Sequence, residues 1–212
     1  GRRCDRSGRG GSRAGAVAVI GDFDAIVLAG GRGSRLGGVT KPGVTIGGRR
    51  LLDIALVAVS AARQVVVVGD LPVPDGVRLT REDPPFGGPV AGVAAGFELL
   101  DEPAPWTLLL ASDLPDAEAA VASLLRAEPA SEHEGVCLLD ADDRLQWLLG
   151  CYRTDALARR LGERGDPPLT AMYRLLEPLR LLGVQPGGAS VADLDTPEDA
   201  ARWAAERGEV RW

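Results

Sequence analysis

Residues 29–42 combine glycine and positive charge in a way that suits the binding of an anion. Five glycines lie between positions 30 and 38, and they allow the backbone to turn sharply with several N–H groups close together. Arg32, Arg35 and Lys41 add three positive charges to the same segment. An apolar run of strand length comes directly before it. The segment therefore predicts a phosphate-binding loop at the end of a strand.

The glycine spacing excludes two common phosphate-binding motifs. The pattern G-x-x-x-x-G-K-[ST] does not fit, so the segment is not a P-loop. Gly31, Gly33 and Gly37 are one residue too widely spaced for the dinucleotide fingerprint G-x-G-x-x-G. This spacing argues against an NAD-dependent dehydrogenase.

Lys41 is the only lysine among the 24 lysine and arginine residues of the chain. The composition has replaced nearly every other lysine with arginine. A guanidinium is a broad planar fork, whereas an ammonium is compact, and the two do not substitute for each other close to a ligand. The retained lysine indicates a position that needs a compact cation.

Asp113 follows a second apolar run, residues 107–111, with Ser112 between the run and Asp113. A carboxylate at the end of a buried strand is a hard oxygen ligand of the kind that Mg²⁺ prefers, together with substrate phosphates. The alternative is that Asp113 only caps the turn before Pro115. No Ser/His/Asp or Cys/His arrangement can be assembled around His133, the only histidine, which we interpret as a solvated loop residue.

The elements that must position these residues alternate between strand and helix. Valine-, isoleucine- and leucine-rich runs predict strands buried on both faces, as in a parallel sheet covered by helices. This alternation indicates a three-layer α/β fold, in which ligands bind beyond the carboxyl ends of the strands. The predicted strands are 25–28, 64–68, 77–80, 106–111, 135–139, 145–152 and 180–184. The predicted helices are 51–62, 88–100, 116–127, 154–161, 169–176 and 197–207.

The composition fits one globular domain and bounds its partners. The chain has 212 residues, 45% of them hydrophobic, and a formal net charge of −6, which argues against nucleic acid as the main partner. No apolar run is long enough to span a membrane. The three cysteines lack zinc or disulfide spacing, which favours a reducing cytoplasm. We interpret residues 1–23 as a flexible extension and residues 24–212 as the domain.

Four motifs in order resemble one family. Residues 28–42, L-A-G-G-R-G-S-R-L-G-G-V-T-K-P, resemble the signature of sugar- and cofactor-nucleotidyltransferases, above all the molybdenum cofactor guanylyltransferases. Residues 82–83 with 88–92, residues 112–115 and residues 193–199 are similar to later motifs of that family. The resemblance covers residues 24–207. It implies a Rossmann-like nucleotidyltransferase fold of the nucleotide-diphospho-sugar transferase type, with a mostly parallel central sheet.

The resemblance also implies site roles. The nucleotide would contact a set of residues drawn from three of these motifs: Leu28, Ala29, Gly30, Gly31, Lys41, Asp83 and Asp113. The catalytic residues would be Arg35, Lys41 and Asp113. The residues that bind Mg²⁺ would be Asp113 and Asp195.

Several positions keep two interpretations. The family commonly has asparagine where this chain has Asp193 and Asp195, so Asp195 is either a second metal ligand or a cap. Asp83 either accepts hydrogen bonds from the base or ribose or is a loop residue. Gln146 and Trp147 correspond to positions facing the second substrate, although Trp147 also suits a core. Arg153 is a candidate for the acceptor phosphate.

The implied reaction is Mg²⁺-dependent transfer of GMP from GTP to the phosphate of molybdenum-bound molybdopterin, with release of pyrophosphate. The implied partners are GTP, a molybdopterin-type acceptor and, transiently, proteins that insert or receive the molybdenum cofactor. Alternatives are a cytidylyl enzyme using CTP, a phospholactate guanylyltransferase, and a non-catalytic nucleotide-binding protein.

Overall fold

A computed structural model describes residues 20–30, 35–36, 39–40, 45–46, 48–83, 87–165, 171–188 and 210–211. The strands in chain order are β1 (Phe23–Ala29), β2 (Arg35–Leu36), β3 (Val39–Thr40), β4 (Thr45–Ile46), β5 (Arg49–Arg50), β6 (Val65–Gly69), β7 (Arg78–Thr80), β8 (Trp106–Ala111), β9 (Gly135–Leu139), β10 (Leu145–Arg153), β11 (Leu181–Val184) and β12 (Val210–Arg211). The helices are α1 (Leu51–Ala58), α2 (Pro89–Glu98), α3 (Ala117–Leu125), α4 (Thr154–Gly162) and α5 (Met172–Leu176).

The central sheet contains seven strands in the order β11-β9-β10-β8-β1-β6-β7. The pairs β7–β6, β6–β1, β1–β8 and β9–β11 are parallel, and only β10 in this sheet runs against its two neighbours. The predicted mostly parallel α/β sheet is confirmed. All seven predicted strands are present, with bounds within two residues of those predicted.

The order of the strands reverses at β1. From β1 the chain moves outward to β6 and β7, and it then returns to place β8 on the other side of β1. In α/β sheets ligands bind in the crevice beyond the carboxyl ends of the strands, at the point where the strand order reverses. The segments that follow β1 and β8 therefore border the crevice.

Helices cover both faces of the sheet and divide the core in two. On one face, α1 and α3 pack on alternate residues of β1 and β8 such as Val27 and Leu108. On the other face, α2, α4 and α5 pack on the intervening residues such as Ile26 and Leu109. All four of these side chains are fully buried. This burial on both faces explains why the strands are continuously apolar.

Two glycines let α2 lie close to the sheet. A Cβ at Gly96 would come within 2.6 Å of Ile26, and one at Gly92 within 3.3 Å of Leu28. Any larger residue at Gly96 would push the helix away from β1. Gly92, the last glycine of the G-P-V-A-G sequence at 88–92, thus has a packing role. The start of α2 stays next to the carboxyl ends of the strands.

Two small sheets and the N-terminal core add features that the sequence did not predict. Strands β2 and β3 pair within the predicted phosphate-binding segment, and β12 pairs with β4, which pairs with β5. Burial extends before position 24, since Ile20 and Phe23 are 7% and 5% exposed. Predicted helix 197–207 lies outside the described residues.

Of the helices described here, none combines the length and apolar character that a membrane span requires. Cys137 and Cys151 are both buried as free thiols. Burial raises the pKa of the Cys137 thiol to about 12, so this side chain stays protonated near neutral pH.

Candidate active site

The exit of β1 supplies the first wall of the crevice. Leu28 is half-buried against α2, Ala29 is 5% exposed, and Gly30 is exposed. Across from Ala29 lies Gly69, the last residue of β6. A Cβ at Gly69 would be 2.8 Å from the Ala29 carbonyl oxygen, which is closer than real contacts allow. Gly69 therefore sets how closely the ends of β1 and β6 approach.

The exit of β8 supplies the opposite wall. Leu28 of β1 pairs with Ala111 of β8, and the backbone N–H of Ser112 donates to the Leu28 carbonyl at 3.0 Å. Asp113 follows in a turn, half-buried, with its Oδ1 inaccessible to solvent. The structure thus places the exit of β1, at Leu28, Ala29 and Gly30, at the same edge of the sheet as Asp113, although about 85 positions separate Leu28 from Asp113 in the sequence.

Asp83 lies at the same edge of the sheet but farther from the crevice. It is exposed and follows β7, which β6 separates from β1. An ion pair between Arg81 and Asp70, with a nitrogen–oxygen distance of 3.5 Å, joins the segments that follow β7 and β6. Asp83 is therefore placed on the outer part of the carboxyl edge.

The structure describes the predicted phosphate-binding segment and the 193–199 motif only in part. Gly31, Lys41 and Asp195 lie outside the described residues, as does Asp193. Only the backbone of Arg35 is described, and this residue begins β2.

The reversed direction of β10 separates residues that the sequence analysis grouped as acceptor candidates. Gln146 and Trp147 lie near the start of β10 and so at the carboxyl edge of its neighbours. Arg153 ends β10 and pairs with Trp106, the first residue of β8. Arg153 therefore lies at the amino edge, where it stacks 4.9 Å from the centre of the Trp106 ring and its Nε donates to the His133 carbonyl at 2.9 Å.

The candidate role of Arg153 at the acceptor phosphate is therefore wrong, because an antiparallel strand ends at the edge opposite the crevice. The interpretation of His133 as a solvated loop residue is also wrong in part. It lies in a loop, but its side chain is half-buried with Nδ1 inaccessible to solvent.

Gln146 takes part in an ordered turn between β9 and β10. Its side-chain amide donates to Asp140 Oδ2 at 2.8 Å, while Asp140 Oδ1 accepts the backbone N–H groups of Asp142 and Arg144 at 2.8 and 3.0 Å. These bonds, with that from Arg144 the strongest, lower the pKa of the Asp140 carboxyl below its ordinary value. Asp140 thus stays ionised and fixes the Gln146 amide. Trp147 is partly buried against the second core.

Comparison with known proteins agrees with this arrangement. The sequence profile of the MobA-like NTP transferase domain matches residues 25–183. The chain belongs to this family. The match runs from β1 through β11 and so includes both walls of the crevice.

Two relatives of this chain have the same name. A protein of Acidiphilium cryptum named molybdenum cofactor guanylyltransferase is 36% identical over 160 residues, which cover 66% of this chain and 81% of that protein. A protein of the same name from Serratia proteamaculans is 28% identical over 217 residues, covering 88% and 96%. The predicted family is confirmed.

A solved structure has the same fold. Molybdopterin-guanine dinucleotide biosynthesis protein A of Archaeoglobus fulgidus superposes with a TM-score of 0.61 and 18% identity, covering 85% of this chain and 96% of that one. At this identity the likeness supports the fold alone.

Sequence reasoning missed Gly69 in this NTP transferase. Its only local signal is the position of a glycine after four valines, at the end of a strand. What makes the glycine necessary is the neighbouring strand, which a local pattern does not reveal.

Proposed function

We propose that this NTP transferase joins GMP from GTP to the phosphate of a molybdopterin, which gives a guanine dinucleotide and pyrophosphate. The observation that carries the proposal is the meeting of the glycine-lined end of β1 with Asp113 at the point where the strand order reverses. The names of the relatives from Acidiphilium cryptum and Serratia proteamaculans support the choice of nucleotide and acceptor.

The end of β1 would receive the nucleotide. A Cβ at Gly30 would lie 3.8 Å from the nearest backbone atoms, so packing inside the protein does not itself demand glycine there. Glycine instead leaves open space on the solvent side, where a base and its phosphates can approach the backbone. Gly31, Arg35 and Lys41 continue the same segment and would contribute N–H groups and positive charge to the phosphates.

The residues at the crevice fit Mg²⁺. Within the part of the chain that the structure describes, no three His, Cys, Asp or Glu side chains are grouped as a metal site. Mg²⁺ does not need such a group, since one or two carboxylates with phosphate oxygens and water are its usual ligands. Asp113 would hold the ion at the end of β8, with Asp195 as the second carboxylate. When bound, the ion would neutralise charge that develops on the α-phosphate.

The reaction requires positioning more than covalent chemistry. An oxygen of the acceptor phosphate attacks the α-phosphorus of GTP, and the bond from that phosphorus to the bridging oxygen of the β-phosphate breaks. The bonding electron pair leaves with pyrophosphate. The chain would hold both phosphates in line and supply cations next to the leaving group. This mechanism needs no side-chain nucleophile.

Mass analysis of the products tests the proposal directly. Purified protein is incubated with Mg²⁺, molybdopterin and, in separate reactions, GTP, CTP or ATP, and pyrophosphate release is followed. We expect a product heavier than molybdopterin by one guanylyl group (GMP less water), and we expect GTP to react fastest of the three nucleotides. A buried hydrogen-bonding group of the protein that the wrong base leaves unpaired costs about 1–3 kcal/mol of binding free energy. CTP and ATP should therefore react roughly 10- to 100-fold more slowly than GTP.

Other outcomes of this experiment identify the rival functions. Preferential use of CTP would replace the guanylyl assignment with a cytidylyl one. Turnover of GTP with phospholactate but not with molybdopterin would change the acceptor. Binding of GTP without pyrophosphate release under any of these conditions would indicate a nucleotide-binding protein that does not catalyse transfer.

We further propose a cytoplasmic location and transient contacts with proteins that insert or receive the molybdenum cofactor. Both follow from the acceptor, which must reach its recipient enzymes after transfer. A pull-down with tagged protein, in the presence and absence of GTP and molybdopterin, tests the contacts.

A further inference from the structure

Strand β10 has a large irregularity next to the crevice. Leu145 pairs with Leu139 of β9, and the next residue of β10 that pairs with β9 is Gly150, opposite Cys137. Residues 146–149 of β10 therefore lie opposite a single residue of β9. Pairing of β10 with β8 begins only at Leu149. We call residues 146–149 the bulge segment. Bulges of this kind occur next to active sites because they redirect side chains.

Two buried side chains bind the carbonyls of the bulge segment. The Tyr152 hydroxyl donates to the Trp147 carbonyl at 2.8 Å, and the Cys137 thiol donates to the Gln146 carbonyl at 3.0 Å. In a regular ladder such carbonyls would pair with the neighbouring strand, which the extra residues prevent. The side chains of Tyr152 and Cys137 thus substitute for the missing backbone donors.

The Tyr152 ring fits a space that glycines provide. Tyr152 is fully buried, and a Cβ at Gly150 would be 2.6 Å from its hydroxyl oxygen. A Cβ at Gly135 on β9 would be 2.8 Å from the ring. The ring therefore runs back along β10 over Gly150, which directs its hydroxyl to Trp147. This combination of two glycines and one tyrosine determines the position of the hydroxyl.

Both donors keep their protons under ordinary conditions. Burial raises the pKa of the Cys137 thiol to about 12, and it raises the pKa of the Tyr152 hydroxyl well above its ordinary value. The two hydrogen bonds are therefore present across the neutral range. Loss of these protons therefore does not break the contacts of Tyr152 and Cys137 with the bulge segment near neutral pH.

We infer that Tyr152 is a positioning residue for the acceptor, acting through the Trp147 carbonyl to fix the bulge segment at the carboxyl edge of the sheet. This inference rests on the proposed function for the identity of the acceptor. The bulge segment lies on the side of β8 away from β1, so β8 separates it from the segment that would receive the nucleotide. A change in its conformation should therefore weaken acceptor binding and leave the nucleotide side intact.

The test compares Tyr152→Phe with a matched variant, Thr107→Val. The first substitution removes the hydroxyl and keeps the ring over Gly150. Thr107 pairs with Tyr152 across the strands and is also fully buried, but its hydroxyl bonds Thr154 at 2.9 Å toward the amino edge. Both variants lose one buried hydroxyl from neighbouring positions, and only Tyr152→Phe removes a bond to the bulge segment.

For Tyr152→Phe we expect the KM for molybdopterin to rise roughly 5- to 10-fold, the effect of losing one buried hydrogen bond. The KM for GTP and kcat at saturating acceptor should stay within about twofold. Thr107→Val should leave both KM values unchanged. Cys137→Ala should raise the acceptor KM by a smaller factor. Cys137→Ser keeps a hydrogen-bond donor and should therefore have an acceptor KM close to that of the wild type. An unchanged acceptor KM in Tyr152→Phe, or an equal rise in Thr107→Val, would overturn the inference.

Amide hydrogen exchange gives a second measurement that needs no turnover. Exchange across 146–149 should become faster in Tyr152→Phe and remain at the wild-type rate in Thr107→Val. Unchanged exchange in Tyr152→Phe would show that the hydroxyl does not fix the bulge segment. Failure of the wild-type protein to transfer GMP would instead reject the proposed function, and the exchange result would still decide the role of Tyr152.

Discussion

The two edges of the central sheet use buried aspartates differently. Asp24, near the start of β1, is fully buried, and its Oδ2 accepts the backbone N–H of Ala104 at 2.7 Å and the Gln64 amide at 3.4 Å. Asp113, after the end of β8, is half-buried in a turn beside the exit of β1. The first carboxylate joins two segments of the protein. The second borders a crevice that the fold leaves open.

Other polar groups at the amino edge also bind protein groups. Thr154 donates to the Ala104 carbonyl at 2.6 Å and shares a hydrogen bond with Thr107. Glu134 accepts from Arg159 at 2.6 Å and from the backbone N–H of Arg180 at 3.1 Å. These contacts close the amino edge. The comparison indicates that residue type alone does not separate structure from function, whereas position relative to strand direction does.

The largest expected effect comes from Asp113→Ala. Loss of a carboxylate that holds the metal should reduce kcat at least about 10²- to 10³-fold while the protein stays folded. Turnover, circular dichroism and the thermal midpoint are measured at saturating Mg²⁺. Wild-type turnover in the folded variant would show that Asp113 does not hold the metal and that the carboxyl edge does not use its aspartate for catalysis.

Lys41→Arg, a change in the predicted phosphate-binding segment, should have a smaller effect. The charge is kept, but a guanidinium cannot take the place of a compact ammonium near a phosphate oxygen without movement of the segment. We expect kcat/KM for GTP to fall roughly 10-fold, which corresponds to about 1.4 kcal/mol, with little change in thermal stability. Steady-state kinetics with GTP varied gives the answer, and unchanged kinetics would remove Lys41 from the site.

Asp24→Ala should affect stability and spare activity. It would leave the buried N–H of Ala104 without the Asp24 carboxylate, at a cost of about 1–3 kcal/mol in the free energy of unfolding. Because a domain of this size loses roughly 2–4 °C in Tm per kcal/mol, a clear decrease is expected in calorimetry. The kcat per folded molecule should match wild type. A large loss of kcat with an unchanged Tm would place Asp24 in the catalytic machinery and contradict the comparison.

The smallest effect concerns Glu134 and pH. The backbone N–H of Arg180, followed by the side chain of Arg159, lowers the pKa of Glu134 below its ordinary value of 4.5. A lowered pKa stabilises the folded state above pH 4.5, and this contribution is lost as the pH falls through the folded pKa. Glu134→Gln should therefore cost about 1 kcal/mol at pH 7, and less in acid. Urea unfolding of the wild type and the variant, at pH 7 and in acid, measures this difference in the free energy of unfolding. A difference that is the same under both conditions would exclude ionisation of Glu134 as its source.

Local pattern was sufficient for the elements of the sheet and for one wall of the site. Continuous valine and leucine runs such as 65–68 and 108–110 predict buried strands, because a sheet covered on both faces hides such runs from water. The segment 28–42 and the exit of β8 could be recognised because glycine, cations and a carboxylate at strand ends have few other uses together.

The sequence alone determined the α/β class, the strands, the family and the candidate residues near Asp113. Only the tertiary structure decided that β10 is antiparallel, which places Arg153 at the amino edge and Gln146 at the carboxyl edge. It also decided the roles of Gly69 and Tyr152. The partner of Gly69 lies on the neighbouring strand β1, and the partner of Tyr152 lies five residues back, in the bulge segment. The physical reason is that a strand's direction and its bulges depend on backbone pairing between segments distant in sequence, which leaves little trace in local composition.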